Sequence, residues 1–471
     1  MLSHTSFAAG GPDSSGYLNA ARLFSAGAYS TRILPLEQLG LSDSFADVFV
    51  PLGFSQAQEA RHMVPAYPPG AALHFWLMAQ LFGWSVGPYI VSPLAAAGAV
   101  VLMYFVGCQF NLRRFPSAIG AGVLAFLPPF LLHAFQPVSD VIATFWTLFV
   151  VFAAYRSRVD GRFAVVAGAA FAIGVCVRPS NILLALPLVC FLRLKPNLLV
   201  RSVVGALPIG AALMTYSSLV YGSPFRTGYG TVGEVVSLDY LDAAFRMYIR
   251  WGRRMLTGII MPSGLAVVFS PFVAAWDRLS LFVWFFAFFA FYCFWGGYQE
   301  WWYMRFLLPA LPALIIGALL LIQNATDMIV TRFAHGFVWR LGVWLFVAFY
   351  LIQRPLDLST KLGVYVARDN IEVYPGAVHW CESQMPPNAI LISGVLSGAV
   401  YYYTSRFTVR HDLLHNGRFE ELRAYAGNAG LRWYALLSDV EITPHEMRER
   451  LGSGWEPIGR YRDVTLWRLA Q

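Results

Sequence analysis

Long blocks without charge restrict what this chain can fold into more than any other feature. From about residue 86 to residue 353 the sequence falls into apolar blocks of roughly 15–22 residues, the length that an α-helix needs to cross the hydrocarbon core of a bilayer. Charged residues make up 13% of the 471 residues, whereas soluble domains carry about 25%. The chain is therefore predicted to be a polytopic α-helical membrane protein.

The blocks divide the chain into three parts. Residues 1–85 are predicted to form an outer loop with juxtamembrane helices, and 86–353 a membrane domain with an amphipathic outer loop at 222–261. Over 355–471 charged residues become frequent and long apolar runs stop, which predicts a small soluble α/β domain. About ten spans are predicted, at 86–108, 117–134, 139–155, 162–177, 180–193, 202–221, 262–276, 279–296, 306–323 and 337–353.

Basic side chains cluster at alternate ends of these spans. The clusters are Arg113 with Arg114, Arg156 with Arg158 and Arg162, Arg193 with Lys195 and Arg201, and Arg332 with Arg340. The positive-inside rule makes that side cytoplasmic, so residues 1–85 and the C-terminal domain are predicted to lie outside the cytoplasm, beyond a bacterial inner or plasma membrane. The same clusters explain the formal charge of +8, and no nucleic-acid partner is predicted. Because the N-terminal segment lies outside without a signal sequence, we expect a spanning helix upstream of it.

Two segments are predicted to lie along the outer membrane surface. Residues 238–256 form a helix with two faces, in which Leu238, Leu241, Phe245, Tyr248 and Met255 stand opposite Asp242, Arg246, Arg250, Arg253 and Arg254. The sequence leaves two roles open for this helix. One is attraction to any anionic lipid, and the other is a specific role in substrate binding. Residues 68–83 begin with two prolines and are too short to span, which predicts a juxtamembrane helix.

Candidate functional residues collect at the outer ends of the spans, where they are Asp13, Asp140, Arg178, Arg226 and Arg305. Span interiors carry almost no charge, which argues against the ion pathway of a transporter. A site at the outer interface suits an amphiphilic substrate whose lipid tail stays in the bilayer. The alternative role for each aspartate is a helix N-cap, and for each arginine an interfacial anchor.

Several short motifs resemble, in order, those of GT-C membrane glycosyltransferases of the protein O-mannosyltransferase and aminoarabinose transferase group (family 39). They are Asp13 followed by Tyr17-x-x-x-Ala21-Arg22, then Tyr67–Gly70, Leu81–Gly83, Pro137–Asp140, Val177–Ser180, Tyr221–Phe225, Gly228–Gly230 and Tyr303–Pro309. The resemblance covers roughly residues 11–320. It implies a GT-C-like helical bundle carrying juxtamembrane helices.

The resemblance also implies a reaction. A sugar would pass, with inversion, from a polyprenyl-phosphate-linked donor to a lipid, glycan or protein acceptor, with Asp13 as the general base. Arg178, Arg226 and Arg305 would bind the lipid phosphate, and Asp140 would orient the acceptor or hold a divalent ion. Aminoarabinose transferases carry Glu-Lys before the prolines, where this chain has Ala66-Tyr67. A metal site is therefore not predicted, although a divalent metal stays possible through Asp140.

The C-terminal domain is predicted to alternate strands and helices. The strands are 389–393, 406–410, 432–438, 456–461 and 464–469, and the helices lie near 373–385, 395–404, 417–428 and 443–451. Glycines after the first strand form no phosphate-binding fingerprint, so a nucleotide site is not predicted. His411, Asp412 and His415 are close in sequence, but the favoured reading is that the domain covers the active site or selects the acceptor.

Other classes of function remain as alternatives. A glycolipid flippase or transporter predicts internal repeats and charges inside spans, and neither is visible in the sequence. In a membrane-anchored binding or sensor protein, the outer α/β domain would act and the spans would only anchor it. About ten spans are more than an anchor needs. An O-antigen-type ligase would use the same kind of donor at the same face, and the sequence does not separate it from a glycosyltransferase.

Overall fold

The computed structural model describes residues 2–296, 298–330, 336–415, 417–426, 430–439 and 441–470. The chain divides into two units. The first, here called the membrane unit, comprises Met1–Thr5, Ile90–Leu213 and Thr231–Ala367. The second, here called the sheet unit, comprises Ser6–Tyr89, Met214–Gly230 and Arg368–Gln471.

Helices dominate the chain. In chain order the α-helices are α1 (Pro12–Ser25), α2 (Leu34–Gln38), α3 (Pro69–Phe82), α4 (Gly87–Gln109), α5 (Arg114–Phe126), α6 (Pro128–Ala134), α7 (Ser139–Arg156), α8 (Arg162–Val177), α9 (Ala185–Phe191), α10 (Pro196–Tyr221), α11 (Val232–Val235), α12 (Leu241–Met255), α13 (Thr257–Ala266), α14 (Ala275–Cys293), α15 (Leu311–Val330), α16 (Gly336–Lys361), α17 (Ala367–Ile371), α18 (Val373–Gln384), α19 (Ser397–Tyr403), α20 (Arg418–Ala426) and α21 (Pro444–Leu451). Short 3₁₀ helices cover Leu2–His4, Asp43–Phe45, Asp47–Phe49, Pro179–Leu184, Leu238–Tyr240, Val267–Phe269, Trp301–Leu307, Val364–Val366 and His411–Leu413. The strands are β1 (Thr31–Arg32), β2 (Phe54–Gln56), β3 (His62–Pro65), β4 (Ala389–Ser393), β5 (Thr408–Arg410), β6 (Arg432–Ser438), β7 (Trp455–Tyr461) and β8 (Val464–Leu469).

Among the described residues, six helices are long and apolar enough to cross a membrane: α4, α7, α10, α14, α15 and α16. The pair α5 and α6 raises the number to seven if it counts as one bent span. The remaining predicted spans correspond to shorter apolar helices over Arg162–Val177, Pro179–Phe191 and Thr257–Phe269. The chain is an integral membrane protein, whereas the predicted count of about ten spans is not confirmed.

Proline explains the bend in the segment predicted as one span at 117–134. The axes of α5 and α6 differ by 64°, and the break falls at Leu127, whose backbone is extended. Pro128 and Pro129 follow directly. A proline forces the preceding residue out of the helical region and lacks the amide that would continue the helix.

Ion pairs join several helix ends within the membrane unit. Arg158, just beyond the C-terminus of α7, contacts Asp277 near the N-terminus of α14, with Nη1 and Oδ1 3.4 Å apart. Arg113 and Arg340, predicted to lie on the same membrane side, both contact Asp327. The two arginines therefore lie close to each other in the membrane unit. Arg332, which was grouped with them, lies outside the described residues.

The predicted amphipathic helix at 238–256 corresponds to α12 and the 3₁₀ turn before it. The predicted apolar stripe divides between two environments. Leu238, Leu241 and Phe245 are exposed, whereas Tyr248 and Met255 are buried together with Ala244, Met247 and Gly252. Part of the stripe therefore packs inside the protein, which was not predicted.

The sheet unit is built around a five-stranded sheet of order β5-β4-β6-β8-β7. Strand β4 pairs in parallel with both β5 and β6, while β8 is antiparallel to both of its neighbours. All five strands and all four helices predicted for the C-terminal domain are present, except that residues 427 and 428 of the third helix lie outside the described residues. A second sheet, with order β1-β3-β2, is antiparallel.

Both faces of the larger sheet are covered, and the N-terminal segment covers one of them. Leu391 packs with α18 and α19 on one side. Its neighbours Ile390 and Ile392 point to the other side, where they share a core with Phe45 and Phe49. Such alternation follows from the two-residue repeat of a strand. The N-terminal loop and the C-terminal sheet therefore form one hydrophobic core.

Candidate functional site

Asp140 lies at the start of helix α7 in the membrane unit. Val138 is extended and Ser139 is the first helical residue, so Asp140 is the second residue of the helix. Val138 therefore occupies the N-cap position, and the alternative reading of Asp140 as the N-cap is wrong. Its side chain is only 3% exposed. A carboxylate in the first turn is favoured by the helix dipole.

Two arginines from separate segments converge on this carboxylate. Arg178 follows α8 with an extended backbone, and Pro179 behind it prevents the helix from continuing. Its Nη1 donates a hydrogen bond of 2.7 Å to Oδ1 of Asp140. Nε of Arg305, in the 3₁₀ helix Trp301–Leu307, lies 4.0 Å from the same oxygen. Their side chains are 13% and 20% exposed.

Aromatic rings support the two guanidinium groups. The ring centroid of Phe306 lies 5.2 Å from the Arg178 guanidinium and 5.3 Å from that of Arg305. Tyr292 stacks on Phe306 with centroids 5.1 Å apart and donates a hydrogen bond of 2.5 Å to Oγ of Ser180. Cations gain electrostatic attraction from such ring faces. The contacts described for this cluster thus bring two guanidinium groups to one carboxylate.

His133 belongs to the same neighbourhood and was missed from the sequence. It is buried in α6 and interacts electrostatically with Asp140. Its Nδ1 lies 2.6 Å from the carbonyl oxygen of Pro129, which orients the ring. One histidine in an apolar block carries no pattern that distinguishes it from a packed core residue, so no sequence signal would have found it.

Asp13 lies in the sheet unit, at the second position of α1. Gly11 precedes the helix and Pro12 is its first residue, so Gly11 occupies the N-cap position and the alternative reading of Asp13 as the N-cap is also wrong. The half-buried carboxylate accepts a hydrogen bond of 3.0 Å from the hydroxyl of Tyr67. Tyr67 opens the Tyr-Pro-Pro-Gly motif, but its contact with Asp13 was not predicted.

The position of Tyr67 depends on close packing against α1. Its ring stacks on Tyr17 with centroids 4.8 Å apart, and the ring of Tyr229 lies 5.9 Å away. A Cβ on Gly16 would come within 2.3 Å of the Tyr67 ring and 2.7 Å of Cα of Gly53. Only glycine at position 16 leaves room for the ring that reaches Asp13.

The remaining predicted residues do not join these two clusters. Arg226 belongs to the sheet unit, where its side chain is exposed. His411 is buried with Nε2 2.8 Å from Oε1 of Glu441, whereas Asp412 pairs with Arg410. His411 and Asp412, which are neighbours in sequence, thus contact different partners.

No protein-family model and no curated protein matches the sequence. Solved structures do match its fold. ArnT from Cupriavidus metallidurans bound to undecaprenyl phosphate has a TM-score of 0.57 at 14% identity, covering 100% of this chain and 96% of ArnT. The oligosaccharyltransferase of Archaeoglobus fulgidus tethered to an acceptor peptide has a TM-score of 0.55 at 12% identity, over 98% of this chain and 70% of that one. The chain has the GT-C fold.

The GT-C fold extends over nearly the full chain. The mycobacterial arabinofuranosyltransferase AftD is also similar, with a TM-score of 0.50 and 12% identity, covering 97% of this chain and 39% of AftD. At such identities the likeness establishes the architecture, and the resemblance expected from the motifs is confirmed at that level.

Proposed function

We propose that this protein is a glycosyltransferase that moves a sugar from a polyprenyl-phosphate carrier to an acceptor at the extracytoplasmic face of the membrane. The observation that carries the proposal is the GT-C fold, shared over the full length with an ArnT that binds undecaprenyl phosphate. The buried cluster of one carboxylate and two arginines in the membrane unit is the second support.

Arg178 and Arg305 are proposed to bind the phosphate of the carrier lipid. Both guanidiniums come together at the end of membrane-unit helices, where a lipid tail could remain among apolar side chains. Asp140 orients Arg178 through the 2.7 Å hydrogen bond, so its proposed role is positioning the arginines. Preorganised positive charge stabilises the leaving phosphate in the transition state, typically by about 3–4 kcal/mol for each donor.

Asp13 is the proposed general base. It takes the proton of an acceptor hydroxyl as that oxygen forms a bond to the anomeric carbon. The bond between this carbon and the phosphate oxygen breaks, its electron pair stays on the phosphate, and the configuration of the sugar inverts. Tyr67 holds the Asp13 carboxylate through its hydroxyl. Asp13 and the arginine cluster belong to different units, and each role is tested by its own variant.

A divalent metal does not fit the residues present. Among the described residues, no three His, Cys, Asp or Glu side chains are grouped as metal ligands. The one carboxylate of the arginine cluster already contacts two guanidinium groups, whose positive charge would repel a cation. We therefore derive no step of the reaction through a metal ion.

The arrangement in the membrane is also part of the proposal. The three shorter apolar helices would complete about ten crossing segments, with Arg113, Arg158 and Arg340 on the cytoplasmic side. Residues 1–85, the 222–261 loop and the domain 355–471 would then lie outside the cytoplasm. The exposed Arg226 is proposed as a further phosphate contact, and the acceptor is a lipid, a glycan or a protein.

Transfer of radiolabelled sugar from synthetic polyprenyl-phosphate sugars to membrane extracts tests the function. The parent should transfer label, and Asp13→Asn should lose about 100- to 10,000-fold of the rate, the usual contribution of a general base. Asp43→Asn is the matched control, because Asp43 is an exposed aspartate of the sheet unit. Its ion pair with Arg61 lies at the surface, where such pairs contribute little to stability.

The results of this assay distinguish a glycosyltransferase from a flippase and from a ligase. Equal transfer by Asp13→Asn and the parent would show that Asp13 is not the base. If the parent transfers nothing but scrambles the labelled lipid across vesicles, the flippase reading replaces the enzyme. Transfer of intact oligosaccharides, but not of single sugars, would identify a ligase.

A further inference from the structure

Helix α12 presents an exposed face that is rich in arginine. Residues 246–254 read RMYIRWGRR, with four arginines and no acidic residue. Met247, Tyr248 and Gly252 are buried in the membrane unit. All four arginines of the segment, Arg246, Arg250, Arg253 and Arg254, are exposed. The helix therefore turns its charged face away from the protein.

Packing places this face beside the end of a membrane span. The ring of Tyr248 lies 6.2 Å from Phe289, and that of Phe245 lies 5.9 Å from it. Phe289 stands near the C-terminus of α14, which ends at Cys293. Beyond that end, the carbonyl oxygen of Gln299 accepts a hydrogen bond of 2.8 Å from Arg250. Helix α12 is thus held beside the C-terminal end of α14, one of the helices long and apolar enough to cross a membrane.

The side chains around the arginines are those of a membrane interface. The guanidiniums of Arg254 and Arg250 lie 4.9 and 5.6 Å from the ring of Trp251. Phe245 is 46% exposed, and Leu241 is also exposed next to it. Tryptophan and arginine are enriched at the headgroup level, where apolar neighbours can enter the acyl region.

We propose that this face binds the headgroups of anionic phospholipids in the surrounding leaflet. Arg250, Arg253 and Arg254 would contact the lipid phosphate, since Arg246 is paired with Asp242 at 2.7 Å. The surrounding lipid is favoured over the donor because the arginines share their exposed helix with the apolar side chains of Leu241 and Phe245, which can enter the acyl region beside a headgroup. The inference stands independently of the reaction.

The experiment uses the purified full-length protein in a neutral detergent with phosphatidylcholine, titrated with phosphatidylglycerol. Thermal unfolding midpoints report binding, because a ligand of the folded state raises the midpoint. In Arg253→Gln/Arg254→Gln, half-saturation should require about 30-fold more phosphatidylglycerol, since each arginine at an anionic surface contributes roughly five-fold. Arg448→Gln/Arg450→Gln is the control, because it removes the same charge from the last turn of α21, a helix of the sheet unit.

Three results are possible. If the response to phosphatidylglycerol weakens in Arg253→Gln/Arg254→Gln and stays intact in the control, the proposal holds. If both variants respond like the parent, Arg253 and Arg254 only interact with the helix dipole at the C-terminus of α12, and the proposal is wrong. Undecaprenyl phosphate forms a separate arm, and selective loss of its effect in the α12 variant would assign the face to the donor lipid instead.

Discussion

Asp140 and Arg178, which are 38 positions apart in sequence, form an ion pair inside the membrane unit, with Oδ1 and Nη1 2.7 Å apart. The pair joins the N-terminus of α7 to the turn after α8. Neither charge is well solvated, because the carboxylate side chain is almost wholly buried. Removing one member of such a pair leaves the other without compensation, which usually costs more than the pair contributes.

We expect Asp140→Asn to reduce both stability and sugar transfer. The free energy of unfolding should fall by about 3–5 kcal/mol, because Arg178 would remain buried without its counter-charge. Transfer per folded molecule should fall about 100-fold, since misplaced guanidiniums would not meet the departing phosphate. Thermal unfolding in detergent and initial transfer rates, normalised to folded protein, measure the two effects.

The Arg158–Asp277 pair supplies the matched control in the same unit. It is also buried, and Tyr155 donates a hydrogen bond of 2.7 Å to Asp277. Asp277→Asn should lower stability by a similar amount but leave transfer per folded molecule near the parent value. Equal loss of transfer in both variants would mean that Asp140 acts only through the stability of the unit.

Tyr67→Phe tests how the Asp13 carboxylate is held. The variant keeps the stacked ring and removes only the hydroxyl that donates to Asp13. We expect kcat to fall about ten-fold, because a hydrogen bond to a charged group is worth about 1.5–3 kcal/mol and this one is half-exposed. The KM for the lipid donor should not change. Tyr29→Phe, at an exposed tyrosine of the same unit, should behave like the parent, and an unchanged kcat in Tyr67→Phe would contradict the positioning role.

The C-terminal strands could be predicted because each carries its own local signal. Residues 389–393 and 432–438 are short apolar runs between turn residues, and they occur as β4 and β6 with the predicted bounds. The order of the strands was not predictable, since it depends on which edges pair. The N-terminal loop also carries no sign that Phe45 and Phe49 belong to the core of this sheet.

The residues of the candidate site were predictable as types, but their partners were not. Asp140, Arg178 and Arg305 stand at the ends of predicted spans, where polarity changes abruptly along the sequence, and that signal is local. Their convergence on one carboxylate oxygen depends on packing between segments that are far apart in sequence. Tyr67 was visible within its motif, but its contact with Asp13 depends on the close packing of its ring against Gly16 of α1.

Cys381 provides a test of the sheet unit. Its side chain is buried between α18 and the sheet, with 1% exposure, and burial raises the pKa of its thiol to about 12. Because the thiolate is the reactive form, iodoacetamide at pH 8 should leave Cys381 unmodified while the domain is folded. Peptide mass spectrometry after timed labelling measures the modified fraction.

Labelling of Cys381 should accelerate when the domain is destabilised. Leu436→Ala removes a fully buried side chain from the same core and should lower the free energy of unfolding by about 2–5 kcal/mol. The labelling rate should rise with the population of the open form. If Cys381 in the parent reacts as fast as free glutathione, the thiol is accessible and the packing described for α18 is wrong.

Gly16→Ala tests whether the contact between Tyr67 and Asp13 depends on the packing of α1. The new methyl group would overlap the Tyr67 ring and the backbone of Gly53, and overpacking of this kind costs about 1–3 kcal/mol. The ring must then move, so transfer should fall as it does in Tyr67→Phe. The double variant should lose little more activity than either single variant, because both changes break the same contact. Gly210→Ala, at a helix position with open space around it, should leave transfer unchanged, and additive losses in the double variant would show that Gly16 acts by another route.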